Sequence, residues 1–180
     1  MPAHDERQLI SQAQEGNVQA FRALIERYMK QAYNIAYSVV NDHEEAQDIT
    51  QESFVRIHRS LHRFRGEAQF GTWMYRIVMN QALNMVQRKK TKARVEVALT
   101  DHMNAISSSY EHTDEHPEMQ MHVERALHNL PTLQRVVVIL RHLNGLSTRQ
   151  VSTILQCSEG TVKTHLHRGL KKMRVMLNSL

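Results

Sequence analysis

The chain has 180 residues, and 23 lysines and arginines against 18 aspartates and glutamates give it a formal net charge of +5. This length predicts one or two small domains, while a single cysteine excludes an internal disulfide and a cysteine-based zinc site and suits a reducing compartment. No apolar run approaches the roughly 18 residues that cross a bilayer, and the N-terminus is polar, so we expect a cytoplasmic protein with no membrane insertion.

The composition predicts an all-α fold, because glycine and proline are scarce and no long stretch alternates polar and apolar residues. A first helix ends at Gly16, and Asn17 can cap the second. A third helix is predicted after Asp42. After the loop RFRGEAQFG, Thr72 is a plausible cap for a fourth helix that runs to about Lys90. Together these four helices predict a compact bundle.

The middle of the chain has a different composition. Residues 93 to 122 carry one basic and six acidic side chains, and the stretch lacks helical periodicity until Pro117. We interpret it as a flexible acidic linker. The predicted organisation is therefore a bundle over 1–92, a linker over 93–117 and a second helical domain over 118–180.

The sequence of the second domain predicts a helix-turn-helix. Ser147 and Gln150 fit a capping box, Gln156 and Cys157 supply a short turn, and Ser158 can cap the last helix. The apolar positions of that helix predict its buried face: Val162, Leu166, Leu170 and Met173. The outward face is then polar and basic.

This outward face is suited to duplex DNA, since arginine and lysine can bond guanine edges or phosphates in a major groove. Hydroxyl groups and free N–H groups at the helix start can hold a backbone phosphate. An ordinary helical hairpin is the alternative, and the concentrated basic charge favours DNA binding. The candidate residues are Ser158, Thr161, Lys163, Thr164, His167, Arg168 and Lys171.

The fourth helix carries a polar stripe that begins beside aromatic loop residues. Its members, at spacings of three or four, are Trp73, Arg76, Asn80, Asn84 and Arg88, and they meet Phe64 and Phe70. Aromatic rings can stack on unpaired bases, an amide can bond a base edge and guanidinium groups can hold phosphates, which together suit a single strand. The alternative is that the aromatic residues are core. An asparagine among apolar neighbours needs a hydrogen-bond partner if it is buried.

Other titratable groups predict no catalytic or cofactor site. Glu44, Asp48 and Glu52 share one helix face, but no partner helix supplies the Glu-x-x-His pair of a di-metal bundle. His112, His116 and His122 could bind a metal if ordered, although solvated linker histidines are the simpler interpretation. Cys157 is better explained as a small buried residue than as a redox sensor.

These segments resemble the extracytoplasmic-function sigma factors of bacteria, which direct core RNA polymerase to promoters. The N-terminal resemblance lies in AFRALIERY, DHEEAQDITQESFVRIHRSLHRFRG and FGTWMYRIVMNQALNMVQRKK, and the C-terminal one in LHNLPTLQRVVVILRHLNGLSTRQVSTILQCSEGTVKTHLHRGLKKMR. His165 and His167 stand where many members have arginine or other residues, so the resemblance does not give the −35 sequence. Met74 replaces a common leucine.

The resemblance implies a role for each part of the chain. The C-terminal domain would bind the −35 element, and Asn80 with the preceding loop would capture a flipped base of the −10 element. The third helix would dock on the β′ clamp of core polymerase. The resemblance also implies a contact of the chain with the β flap, and an anti-sigma factor as a usual partner. The implied polymerase-binding residues are Asp48, Gln51, Glu52, Arg56 and Arg59.

Two other functions remain open from the residues alone. A stand-alone helix-turn-helix regulator would bind duplex DNA without polymerase, but it would not need the N-terminal bundle with its FRG loop. An enzyme acting on nucleic acid would need a cluster of histidine, aspartate or glutamate in a loop pocket, and none is evident.

Overall fold

The computed structural model describes residues 3–96 and 117–178, and within those ranges every regular element is helical. The all-α prediction is therefore confirmed. Residues 97–116, most of the predicted linker, lie outside the described residues, as do the histidines at 112 and 116. The helices are α1 (Ala3–Gln14), α2 (Val18–Val40), α3 (His43–Ser60), α4 (Phe70–Glu96), α5 (Pro117–His128), α6 (Thr132–Val138), α7 (Thr148–Leu155) and α8 (Glu159–Leu177).

The N-terminal bundle, α1 to α4, begins its helices largely where local chemistry predicts. The Asn17 side chain accepts hydrogen bonds from two backbone amides of α2, and Asp42 accepts one from Glu45 at the start of α3. The prediction that Thr72 caps α4 is wrong: the helix already begins at Phe70, because that ring is buried and brings the chain into the core two residues earlier. At its other end α4 continues to Glu96.

The C-terminal bundle, α5 to α8, contains the predicted helix-turn-helix. Ser147 and Gln150 form both bonds of a capping box at the start of α7, and the Ser158 hydroxyl accepts from the Thr161 amide at the start of α8. Between them Gln156 adopts a left-handed conformation with φ of 52°. A π-helical segment, Ile139–Leu143, follows α6 directly.

The buried face of α8 differs from the prediction at one position. Val162 and Met173 are buried as predicted, but Leu170 is 39% exposed. Gly169 is buried in its place, where a Cβ atom would lie 2.9 Å from Cγ2 of Val138 on α6. The Val138 side chain leaves no room for a side chain at this position, so Gly169 takes a place in the buried face of α8.

The two bundles share one hydrophobic core. Leu24, Ile35 and Met74 of the N-terminal bundle belong to the same buried cluster as Val136 and Val151 of the C-terminal bundle. A second, smaller cluster packs α5 against α6 and α8. In the described residues no helix combines the length and the apolar character that crossing a bilayer requires.

Candidate nucleic-acid interfaces

The first candidate surface is the outward face of α8. All seven side chains that the sequence predicts for it are exposed, from Ser158 to Lys171. Thr164 donates its hydroxyl to the Gly160 carbonyl at 2.9 Å, and Ser158 and Thr161 share a hydrogen bond of 2.9 Å. The hydroxyl groups are thus ordered by local bonds, while the basic groups His167, Arg168 and Lys171 extend into solvent.

Two features hold α8 in place beneath this face. Its buried side lies against α6 through Gly169 and Val138, and its start is fixed by the Ser158 cap. The preceding turn is tied by a bond of 2.6 Å from the Ser152 hydroxyl to the Cys157 carbonyl. A rigidly supported helix with a convex basic face has the shape that enters a major groove.

The second candidate surface begins at an aromatic cluster where the loop meets α4. The Phe64 ring lies 5.1 Å from Trp73 and 5.5 Å from Phe70, and Phe70 lies 5.6 Å from Trp73. Phe64 and Trp73 are half-buried, whereas Phe70 is only 3% exposed and also contacts Tyr28. The direct DNA contact predicted for Phe70 does not fit this burial, and its ring supports the other two.

Beside this cluster lies a groove of about 410 Å³ between α3 and α4. Asn80 is exposed here, so its amide needs no internal partner and faces the solvent side. Asn84 and Arg88 continue the exposed stripe along α4, and Arg76 is half-buried near its start. The groove is lined by Arg56, Arg59, Ser60, Ile77 and Asn80. An amide in a groove with two guanidinium groups can bond a base edge while the guanidinium groups hold its phosphate.

The loop before α4 is held by a residue that the sequence analysis did not single out. The Gln14 side-chain amide donates to the carbonyl of Leu61 at 3.0 Å and to the carbonyl of Phe64 at 2.9 Å. These bonds join the end of α1 to both ends of the Leu61–Arg63 turn. The partners are 47 and 50 residues away, so no local signal could have revealed them.

The exposed face of α3 changes sign along its length. Asp48, Gln51 and Glu52 are exposed in the first half, and Arg56 and Arg59 follow in the second. Val55, between them, is 50% exposed. Glu52 accepts a hydrogen bond of 3.4 Å from Gln81, and Glu45 pairs with Lys89, so α4 braces this helix. The basic half lines the groove, and the acidic half lies beyond it.

The remaining titratable groups form no ligand set in the described residues, where no group of three or more potential metal ligands occurs. Cys157 is half-buried, and that burial raises the pKa of its thiol. A raised pKa keeps the thiol protonated and less nucleophilic, in agreement with its interpretation as a packing residue.

Family models match most of the chain in two pieces. The model of sigma-70 region 2 matches residues 24–92, and that of sigma-70 region 4 matches residues 120–173. The RNA polymerase sigma-H factor of Pseudomonas aeruginosa is 32% identical over 97% of this chain and 95% of its own length. The ECF RNA polymerase sigma factor SigW of Bacillus subtilis is 30% identical over 95% of this chain and 96% of its own.

Solved structures share the fold at lower identity. The sigma factor RpoE of Bartonella quintana, in complex with the anti-sigma factor NepR, superposes with a TM-score of 0.73 at 19% identity, covering 89% of this chain and 98% of that one. CnrH, in complex with the cytosolic domain of CnrY, gives a TM-score of 0.70 at 24% identity, with 97% and 98% covered.

Proposed function

Because this chain belongs to the extracytoplasmic-function sigma factors, we propose that it divides its work among three surfaces: the α8 face, the α4 groove and the acidic half of α3. The chain is an alternative sigma factor, which binds core RNA polymerase and promoter DNA, and it is not a stand-alone regulator. It is not itself an enzyme, since the polymerase carries the chemistry.

The α8 face reads the −35 element as duplex. Arg168 and Thr164 lie at its centre and contact base edges, while Lys163, His167 and Lys171 contact phosphates around them. Ser158 and Thr161 hold a phosphate at the helix start, where the backbone N–H groups point outward. The exposure of these side chains and the rigid seat of the helix support this assignment.

The α4 groove captures a base of the −10 element after it leaves the duplex. Asn80 bonds the base edge, and the half-buried rings of Phe64 and Trp73 offer a stacking surface. Arg56, Arg59, Arg76 and Arg88 hold the strand through its phosphates, with Asn84 as a further polar contact. Stacking and bonding in the groove compensate an unstacking cost of a few kcal/mol per base, so melting needs no ATP.

Core polymerase binds the acidic half of α3. Asp48, Gln51 and Glu52 precede the exposed Val55 on the same helix, so this surface combines polar and acidic groups with an apolar contact at its edge. The carboxylates steer encounter with a basic β′ clamp more than they add affinity. Arg56 and Arg59, which the resemblance assigns to this contact, line the DNA groove, so we assign them to the strand.

The domains and partners follow the same proposal. Residues 1–92 and 118–180 act as separate domains joined by 93–117, and the C-terminal domain also contacts the β flap. RpoE of Bartonella quintana and CnrH were solved with an anti-sigma factor and a CnrY domain respectively. We propose that this chain likewise has an anti-sigma partner and acts in the bacterial cytoplasm.

The exposed amide of Asn80 in a groove with two arginines is the observation that carries this proposal. Asn80→Ala should lower the rate of promoter opening by core polymerase about tenfold, because a base-edge hydrogen bond is lost. A template that is mismatched and also substituted at the captured base should be nearly unaffected, because the base that Asn80 would bond is no longer there. Since Asn80 is exposed, the free energy of unfolding of the variant should lie within about 0.5 kcal/mol of that of the parent chain. Equal loss on both templates would contradict base capture.

A further inference from the structure

The aromatic cluster at the start of α4 is supported by a tyrosine from another helix. The ring of Tyr28, on α2, lies 5.6 Å from the ring of Phe70. Phe70 is 3% exposed and lies 5.5 Å from Phe64 and 5.6 Å from Trp73. The two half-buried rings that we assign to base stacking therefore rest on Phe70, and Phe70 rests on Tyr28.

The backbone also passes close to Tyr28 directly after Phe70. A Cβ atom added at Gly71 would lie 3.1 Å from Cε1 of Tyr28 and 3.5 Å from its hydroxyl oxygen. One turn further along α4, the Tyr75 ring meets the Tyr28 ring edge to face, with 6.0 Å between their centres. Because glycine leaves no side chain between the ring and the backbone, a shift of Tyr28 would move the first turn of α4.

The Tyr28 hydroxyl is held in turn by α1. It donates to Oε2 of Glu6 at 2.6 Å, and the same carboxylate oxygen lies 3.8 Å from Nη1 of Arg27. A hydrogen bond to an ionised acceptor is shorter and stronger than one between neutral groups. Burial, followed by the bond to Glu6, raises the pKa of Tyr28, so the hydroxyl stays a donor at neutral pH. The position of the Tyr28 ring thus depends on a residue of α1.

We propose that Glu6 and Tyr28 are positioning residues for promoter melting, which set the orientation of the stacking rings Phe64 and Trp73 through the buried ring between them. Neither positioning residue lines the α4 groove, so each acts through its neighbours. The inference rests on the stacking function proposed above. It gives α1 a second contact with the melting surface, since Gln14 bonds the Phe64 carbonyl.

Fluorescence of the full free chain tests the positioning without polymerase or DNA. Trp73 is the only tryptophan in the sequence, so its emission reports on the stacking surface. Tyr28→Phe removes the hydroxyl and keeps the ring, and Tyr33→Phe is the matched control, because that hydroxyl bonds to His43 of α3. Tyr28→Phe should shift the Trp73 emission to longer wavelength and increase its quenching by acrylamide, and Tyr33→Phe should do neither.

The acceptor supplies a second, independent pair of variants. Glu6→Gln keeps an oxygen that can accept the hydrogen bond from Tyr28, so its emission should match that of the wild-type chain. Glu6→Ala removes the acceptor and should reproduce the change seen in Tyr28→Phe. If both Glu6 variants behave like the wild-type chain, the Glu6–Tyr28 bond does not position the rings.

Promoter opening with core polymerase connects the emission to function. Tyr28→Phe and Glu6→Ala should slow opening roughly two- to tenfold, the factor that loss of one hydrogen bond predicts. The slowing should be the same whichever base occupies the captured position, because every base offers a face for stacking. Binding to the −35 duplex should be unchanged, and Tyr33→Phe should open the promoter at the wild-type rate.

Three outcomes would overturn the proposal. The first is a lower unfolding temperature of Tyr28→Phe with unchanged Trp73 emission, which would show a purely structural bond. The second is an equal change of emission in Tyr28→Phe and Tyr33→Phe, and the third is normal opening in Tyr28→Phe where Asn80→Ala slows it. If neither Asn80→Ala nor Tyr28→Phe slows opening although the emission changes, base capture by α4 fails and the positioning of the rings stands.

Discussion

The two helices that we propose contact DNA, α4 and α8, differ in the shape and chemistry of their exposed surfaces. The α8 face is convex, basic and without aromatic side chains, and its position is fixed by backbone packing against α6. The α4 surface is concave, lies beside half-buried rings and depends on a loop held by side-chain hydrogen bonds. Duplex recognition needs a helix in one fixed orientation, whereas capture of a single strand needs a groove and a nearby stacking surface.

The largest effect is expected where packing fixes α8. Gly169→Ala would place a Cβ atom 2.9 Å from Cγ2 of Val138, so either the valine side chain or α8 itself must shift. We expect a loss of about 3 kcal/mol in stability, at the upper end of overpacking effects. Binding to the −35 duplex should weaken for every sequence. Thermal unfolding and gel-shift titration measure both effects.

Gly160→Ala is the matched control for this change. Gly160 lies in the first turn of the same helix, and its nearest neighbour to a new Cβ is the Ser158 hydroxyl at an ordinary 3.6 Å. Alanine there should leave stability unchanged or raise it by up to about 1 kcal/mol, because glycine is the poorer helix former. Similar destabilisation in both variants would mean that α8 is not seated through Gly169.

A smaller effect is expected from Arg168, the side chain on the same helix that we propose contacts bases. Arg168→Ala should cost roughly 2 kcal/mol of binding to the cognate −35 duplex and relax discrimination at one position. The fold should be unaffected, since Arg168 is exposed. Equal loss on cognate and scrambled duplexes would instead identify a phosphate contact. In that case α8 would still be held rigidly by its packing, but Arg168 would not contribute to sequence recognition.

The smallest effect is expected on the α4 side. Gln14→Met keeps the side-chain length but removes both hydrogen bonds to the loop. The activation free energy of promoter opening should therefore rise by about 1 kcal/mol. Binding to the −35 duplex should be unchanged. Gln12→Met, two residues earlier on α1, is the control. If both variants behave alike, or if −35 binding also falls, the loop is not positioned by Gln14.

Features that depend on neighbouring residues could be predicted from the sequence. The predicted caps at Asn17, Ser147 and Ser158 are correct because each side chain bonds an amide two or three residues away. The exposed face of α8 is correct for the same reason, since helical periodicity alone separates it from Val162 and Met173.

Features that depend on distant residues could not be predicted. Leu170 fits the apolar stripe of α8, but α6 packs one residue earlier, where the Val138 side chain leaves room only for Gly169. Thr72 has the chemistry of a cap, yet the burial of Phe70 starts α4 before it. The bond from Arg135 to the Ser38 carbonyl has no sequence signature, because neither residue type nor spacing distinguishes it.

The π-helical turn at Ile139–Leu143 has a consequence for how the length of this region can vary. A π turn accommodates one residue more than an α-helical turn, and here it ends just before Gly145, where φ is 65°. Deletion of one residue in this turn would remove the extra residue and restore a regular α-helical turn, and the segment beyond it would keep its orientation. The same deletion within the regular turns of α6 would rotate everything beyond it by about 100°. A single-residue deletion should therefore be tolerated better in this turn than in α6.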